Sequence, residues 1–452
     1  MSNDQSQEFS ALDAAQQAVE ELAAVGEQAV RSVQESPAAK AAGTPVTRRE
    51  LFSRLPGAAA GAAALAAAGA AVAASGCSSS DSDSEDDLDV LEVASNAVVT
   101  LESFEEIENY EGYCAVNEVF AFSCGAQLFS SGKKVAAVLC AGETSRPLST
   151  VGLLSMVTNA FVTVLPQPLG QDEGFNFYEV TCSDKLLVWV ESNYLTGAWR
   201  VYSASIDADA MTIDTATLLD EGDEGYDAPE IAALGGQAYW IVQPAENGDH
   251  AKEDSLLKTN GGTACTSHGR FNGKLWVSGT TLVCMPRAES SSSVYYQLTA
   301  ISDGGIVAKQ VLPHGFKPST ATYINGAFSF GIGAGYDYGD GIANVGTYIS
   351  LGDGTWLRLT RTPVTAAGRC AGWYFCKSSS RTVFIDIENK KYFTVGAPSG
   401  TEDHGDYTIR TGECSNPLFT YATVGELKNN EKQRTVLVRT LTLVALDGAG
   451  EE

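Results

Sequence analysis

Beyond residue 130 the chain repeats one short pattern: a strand, a turn rich in glycine or asparagine, then an apolar strand with aromatics. The turns fall at Ser131-Gly132, Ser183-Asp184, Gly235-Gly236, Asn272-Gly273, Asn325-Gly326, Ala371-Gly372 and Ser415-Asn416. Apolar runs follow them, among them Val135-Ala136-Ala137-Val138-Leu139, Leu186-Leu187-Val188-Trp189, Ala238-Tyr239-Trp240, Leu275-Trp276, Phe328-Ser329-Phe330, Trp373-Tyr374-Phe375 and Phe419-Thr420-Tyr421. An Asn-Gly pair suits the two positive-φ positions of a tight hairpin, so these turns carry conformational information. From Gly132 to Asn416 six intervals average about 47 residues, the length of a four-stranded propeller blade. One interval, Gly235 to Asn272, is only 37 residues, which marks the third unit as incomplete or miscounted.

Later landmarks support the unit. Residues 199–202, 294–298, 347–349 and 382–385 read as third strands, and residues 356–359 and 392–395 as fourth strands. The expectation is an all-β fold over residues 89–446: a β-propeller of seven four-stranded blades, preceded by a helical export signal and followed by a tail, 447–452. A ring must close to remove its open edge. The last unit ends with residues 435–438 and 440–443 and leaves little chain for a fourth strand, so the strand-like stretch 90–101 is expected to complete it. Two stacked β-sandwiches would also show short strands and Gly-rich turns, but not one period running through seven turns.

Tyr226-Asp227-Ala228-Pro229-Glu230, followed by Gly235-Gly236 and Tyr239-Trp240, resembles the proline, small turn and aromatic strand of a TolB-type repeat. The exported part thus looks like the broad TolB-like and WD-repeat-like propeller superfold over roughly residues 90–445. That resemblance implies architecture; superfolds host many functions and confer none.

The first 88 residues have a different character. Thr47-Arg48-Arg49-Glu50-Leu51-Phe52 resembles a twin-arginine export consensus, with Arg48 and Arg49 as the paired arginines, and residues 55–76 behind it are mostly Ala and Gly and carry no charge. Two cleavage readings stand side by side: Ala71-Val72-Ala73 fits an ordinary signal-peptidase site, and Ala74-Ser75-Gly76-Cys77 resembles a lipobox with Cys77 as the residue to be lipidated. Residues 78–87 form a Ser/Asp-rich run, part of a 78–88 tether that would hold a folded domain off the membrane. The signal spans 47–77, and the long n-region 1–46 carries a thin apolar helical stripe over residues 8–34. The implied partner is the twin-arginine translocase during export. The implied location is the bacterial cell envelope, lipid-anchored outside the cytoplasmic membrane or otherwise secreted.

Charge narrows the partners further. The formal net charge is −27; residues 78–452 carry 24 basic against 48 acidic residues, or −24. A surface this negative repels phosphate backbones, which argues against nucleic acid, and restricts membrane contact to a lipid or signal anchor. The four histidines, His250, His268, His314 and His404, lack zinc-type spacing, and no P-loop, Rossmann or Gly-x-Ser-x-Gly motif occurs. No metal site and no cofactor are implied. Of ten cysteines, Cys114 with Cys124 and Cys370 with Cys376 are the disulfide candidates, although cargo that folds before export should not depend on bridges.

In a propeller, the loops joining second to third strands and successive blades share one face, where ligands usually meet the protein. Residues 335–341 mix Tyr336, Asp337, Tyr338 and Asp340 on a flexible backbone; residues 220–227 form an acidic loop with Tyr226 and Asp227; other loops carry Arg287, His314 and Asp403-His404-Gly405-Asp406. Tyrosine faces stack on sugars and aspartates accept their hydroxyls, so these are ligand-binding candidates. The expected function is a non-catalytic module for a carbohydrate, peptide or protein partner. Alternatives are a carboxylate-dependent glycoside hydrolase using two of Asp227, Asp337 and Asp340, and an envelope assembly scaffold with a broad apolar patch.

Overall fold

Hairpins form where the turn chemistry asks for them. Asn325 and Gly326 adopt φ of 51° and 76° between the strands Pro318–Ile324 and Ala327–Ile332, and Ala371 and Gly372 repeat the pattern at 51° and 85°. The computed structural model describes residues 88–446 apart from 143–147, 290–292, 303–304, 334–341, 343–344, 360–364, 403–406 and 429–430. Arg48, Arg49, Cys77, the amphipathic stripe, the run 78–87 and the tail 447–452 lie outside the described residues.

The described strands assemble into seven sheets, each built on an antiparallel meander. Blade 1 holds Gln127–Ser131, Val135–Ala141, Leu148–Ser155 and Phe161–Leu165; blade 2 holds Asn176–Cys182, Leu186–Ser192, Trp199–Asp207 and Thr217–Gly222. Blade 3 runs Ile231–Leu234, Gln237–Val242, Ser255–Thr259, Gly262–Ser267, and blade 4 runs Trp276–Ser278, Thr281–Cys284, Gln297–Ser302, Gly305–Val311. Blade 5 adds Gly346–Ser350 and Trp356–Leu359 to the Asn-Gly hairpin; blade 6 is Gly368–Cys370, Trp373–Ser378, Arg381–Asp386 and Lys391–Gly396. Blade 7 orders Tyr407–Thr408, Leu418–Lys428, Glu431–Leu443 and, on its outer edge, Cys114–Ser123.

Among the described residues seven apolar clusters hold these sheets in a ring. Val135, Leu139 and Leu153 of blade 1 pack on Phe177, Leu187 and Trp189 of blade 2, and the next cluster joins Val188 and Val190 to Ile231 and Trp240 of blade 3. Further clusters join blade 3 to 4 through Tyr239, Leu257 and Leu282, blade 4 to 5 through Val283, Leu298 and Phe330, and blade 5 to 6 through Ile349, Leu357 and Ile385. Phe384, Phe393 and Leu441 join blade 6 to 7, and Phe419, Val438, Ala136 and Val138 bring blade 7 back to blade 1. The circle is closed: the fold is a β-propeller. It also explains the unbroken apolar runs of the second strands. Along Leu186–Ser192 alternate side chains enter two different clusters, Leu187 and Trp189 on one side, Val188 and Val190 on the other, so both faces of the strand are buried.

Three expectations need correction. Residues 90–101 do not complete the last blade. They run along outer edges instead: Val90 bridges Val311 of blade 4, and Val98–Thr100 pairs in parallel with residues 356–358 of blade 5. Glu105–Glu106 then pairs with Lys391 and Tyr392 of blade 6, and Cys114–Ser123 closes blade 7 against residues 435–443. Those residues belong to one long strand, Glu431–Leu443, whose edge pairs with the whole length of Cys114–Ser123 apart from a register shift between Glu118 and Phe120. Secondly, Asn272-Gly273 precedes blade 4, whose first hairpin turns at Gly279-Thr280. Gly279 stands 44 residues after Gly235 and 46 before Asn325, so the 37-residue interval disappears and the third blade is complete.

The third correction concerns the cysteines. All nine described are free thiols. The extended strand between Cys114 and Cys124 separates them by about 30 Å. Cys370 stands opposite Trp373 across its hairpin and packs toward blade 7, whereas Cys376 packs toward blade 5, on the other side of the sheet. Burial pushes the thiols of Cys182, Cys370 and Cys414 up to about 12, which keeps them neutral.

Candidate functional site

The last blade departs from the repeat at its first turn. Between Tyr407–Thr408 and Leu418–Lys428 the chain enters the hub, where Gly412–Cys414 pairs in parallel with Gly368–Cys370. The Ser278 hydroxyl accepts from the Glu413 amide at 3.0 Å, the Gly279 amide donates to the Glu413 carbonyl at 3.0 Å, and the Asn325 amide donates to the Glu413 carboxylate at 3.0 Å. This plug ties blades 4, 5 and 6 together. Above it Lys274 lies 3.6 Å from Glu179 and 3.7 Å from Glu230, beside a cavity of about 110 Å³ lined also by Trp276 and residues 408–411.

A broader groove opens on the loop-bearing face between blades 2 and 3. The fourth strand of blade 2 ends at Gly222 against the Trp199 ring, and the Asp223 carboxylate accepts from the Gly225 amide at 2.9 Å, turning the chain into Tyr226. The Tyr226 ring stacks on His250 with centroids 5.1 Å apart and planes at 22°, and its hydroxyl donates to Glu253 at 3.2 Å. Glu253 also holds His250 Nδ1 at 2.6 Å. That hydrogen bond and the carboxylate charge raise His250 above its usual range, and the same bond lowers Glu253. Asp220 accepts from Trp240 Nε1 at 2.7 Å and from Lys258 at 2.8 Å. The groove encloses about 410 Å³, with Glu221, Asp223 and Asp254 completing its acidic wall.

The other candidates are spread around the same face. Asp227 is engaged by Arg270, whose second terminal nitrogen donates to the Pro244 carbonyl. Arg287, in blade 4, holds its guanidinium 5.8 Å from the Tyr296 ring centroid, and His314 meets Tyr295 edge-on at 5.6 Å. The groove lined by Tyr226 includes neither Arg287 nor His314. Tyr336, Asp337, Tyr338, Asp340 and His404 lie outside the described residues. Sequence reasoning missed His250 and Glu253 as partners of Tyr226, because Tyr226, bridged to Pro244 past the second strand of blade 3, meets them only once the second-to-third-strand loop of that blade folds back over it. It also missed the plug, although the seventh unit, where residues 409–417 replace a tight turn, carried the signal.

A closed ring with a plugged hub and a grooved loop face defines a β-propeller, a class of architecture and not of activity. Among solved structures the chain is similar to a prolyl endopeptidase (10% identity, TM-score 0.44, covering 71% of this chain and 50% of that one). It is also similar to the acylaminoacyl peptidase of Pyrococcus horikoshii (12%, TM-score 0.40, 73% and 53%). The β-propeller domain of the trilobed protease from Pyrococcus furiosus gives 9%, TM-score 0.41, and coverage of 71% and 97%. The chain spans about half the length of the two peptidases. No protein-family model and no curated protein matches it.

Proposed function

We propose that this chain is an exported, envelope-tethered propeller that binds a carbohydrate through the groove between blades 2 and 3, without catalysis. The observation that carries the reading is the Tyr226–His250 stack set beside Asp220, Glu221, Asp223, Glu253 and Asp254. An aromatic face packs on a sugar ring while carboxylates accept its hydroxyls. The ion pair between Asp227 and Arg270 supports a binding rather than a catalytic role for that carboxylate, since a general acid needs a proton to give. Export rests on Arg48, Arg49 and the apolar run behind them; tethering rests on Cys77 and the charged residues that follow it.

A glycan array followed by calorimetry tests the reading. Tyr226→Ala removes the stacking face and should weaken binding of any array hit by about tenfold, the scale of one aromatic platform. An array without hits, or a hit that Tyr226→Ala binds as well as the parent, overturns it.

A further inference from the structure

The geometry points to a second site on the opposite face: a pocket for a small organic carboxylate at the mouth of the hub, centred on Arg410. The first-hairpin turns of blades 1 to 4 surround a cavity of about 660 Å³, within the range of small-molecule sites. Arg410 reaches it from the plug. The guanidinium is partly buried and donates through Nη1 to Ser415 Oγ at 2.7 Å, and among the described residues it meets no carboxylate. Lys133 and Lys185 stand at the rim. Among the described residues Asp184 is the one acid of the lining, and its oxygens are already occupied by the amides of Lys133 at 2.9 Å, Lys134 at 2.7 Å and Val135 at 3.3 Å.

Three cations against one acid give the mouth a local charge of +2 on a chain whose residues 78–452 carry −24. A planar guanidinium presents a fork that matches a carboxylate bidentately, and partial burial strengthens that pairing over its value in water. The overall negative field works against a polyanion, so the occupant is a small mono- or dicarboxylate that the turns can enclose. This site is independent of the proposed sugar groove, which lies on the other face.

The test uses the full purified chain. Acetate, succinate and inorganic phosphate are titrated against it by calorimetry and thermal unfolding, with sodium chloride at matched ionic strength as the control. A carboxylate is expected to bind saturably and raise the unfolding midpoint. Arg410→Gln should weaken it by about tenfold or more, the worth of a hydrogen bond to a charged group. If Arg410→Gln fails to fold, the exposed pair Lys133→Gln with Lys185→Gln serves instead, with an expected severalfold loss. No saturable binding by either carboxylate, unchanged affinity in the variants, or tighter binding of phosphate than of both carboxylates overturns the assignment.

Discussion

Gly412 is the position where the plug is most sensitive to a single added atom. Its φ is +66°, and a Cβ there would stand 2.6 Å from the Ser278 Cα and closer still to that residue's side chain, on the first strand of blade 4. Gly412→Ala therefore carries two costs. Left-handed backbone with a Cβ costs about 1–2 kcal/mol, and forcing an atom into packed structure costs about 1–3 kcal/mol. Gly235 separates them: its φ is +56°, but a Cβ there meets nothing within 4 Å. Gly235→Ala should thus show the conformational cost alone, and Gly412→Ala about 1–3 kcal/mol more. Urea unfolding followed by tryptophan fluorescence reads both as midpoint shifts at unchanged slope. Equal shifts for the two variants would refute the threading of the hub by residues 408–414.

His250 should titrate above 6.5 by NMR, and Glu253→Gln should bring its midpoint back toward that value. Because the folded value is raised, the His250–Glu253 contribution is complete below the unfolded value and is lost as pH rises through the folded one. A midpoint unmoved by Glu253→Gln would remove the carboxylate as cause. Replacing Arg48 and Arg49 with lysines should retain the protein inside the cell, which fractionation reads; unchanged export would dismiss the twin-arginine route. Cys77→Ala should abolish labelling by a tagged fatty acid, and unchanged labelling would dismiss the lipid anchor.

Much of the ring was legible because its signals are local. Asn325-Gly326 adopts the turn its residue types favour, and the apolar run Leu186–Ser192 is continuous because neighbouring blades cover both its faces. Asn272-Gly273 misled for a related reason: a glycine at φ +74° suits an inter-blade loop as well as a hairpin. The groove was half legible. Tyr226 stood out in its acidic loop, while His250 and Glu253 sit in the second-to-third-strand connection of the blade it pairs with, which carries no pattern of its own.

By itself, then, the order of residues determined the strand pattern, the period and the acidic character of the surface. Tertiary structure alone decided which N-terminal stretch seals the ring, since an edge ladder of amides and carbonyls accepts residues 90–101 and Cys114–Ser123 alike until length and the burial of Cys114 and Phe122 choose between them. It alone also set Tyr226 on His250, by pairing Tyr226 with Pro244 inside blade 3, and carried Arg410 into the hub, because those meetings depend on how strands pair and blades pack and not on any neighbour in the chain.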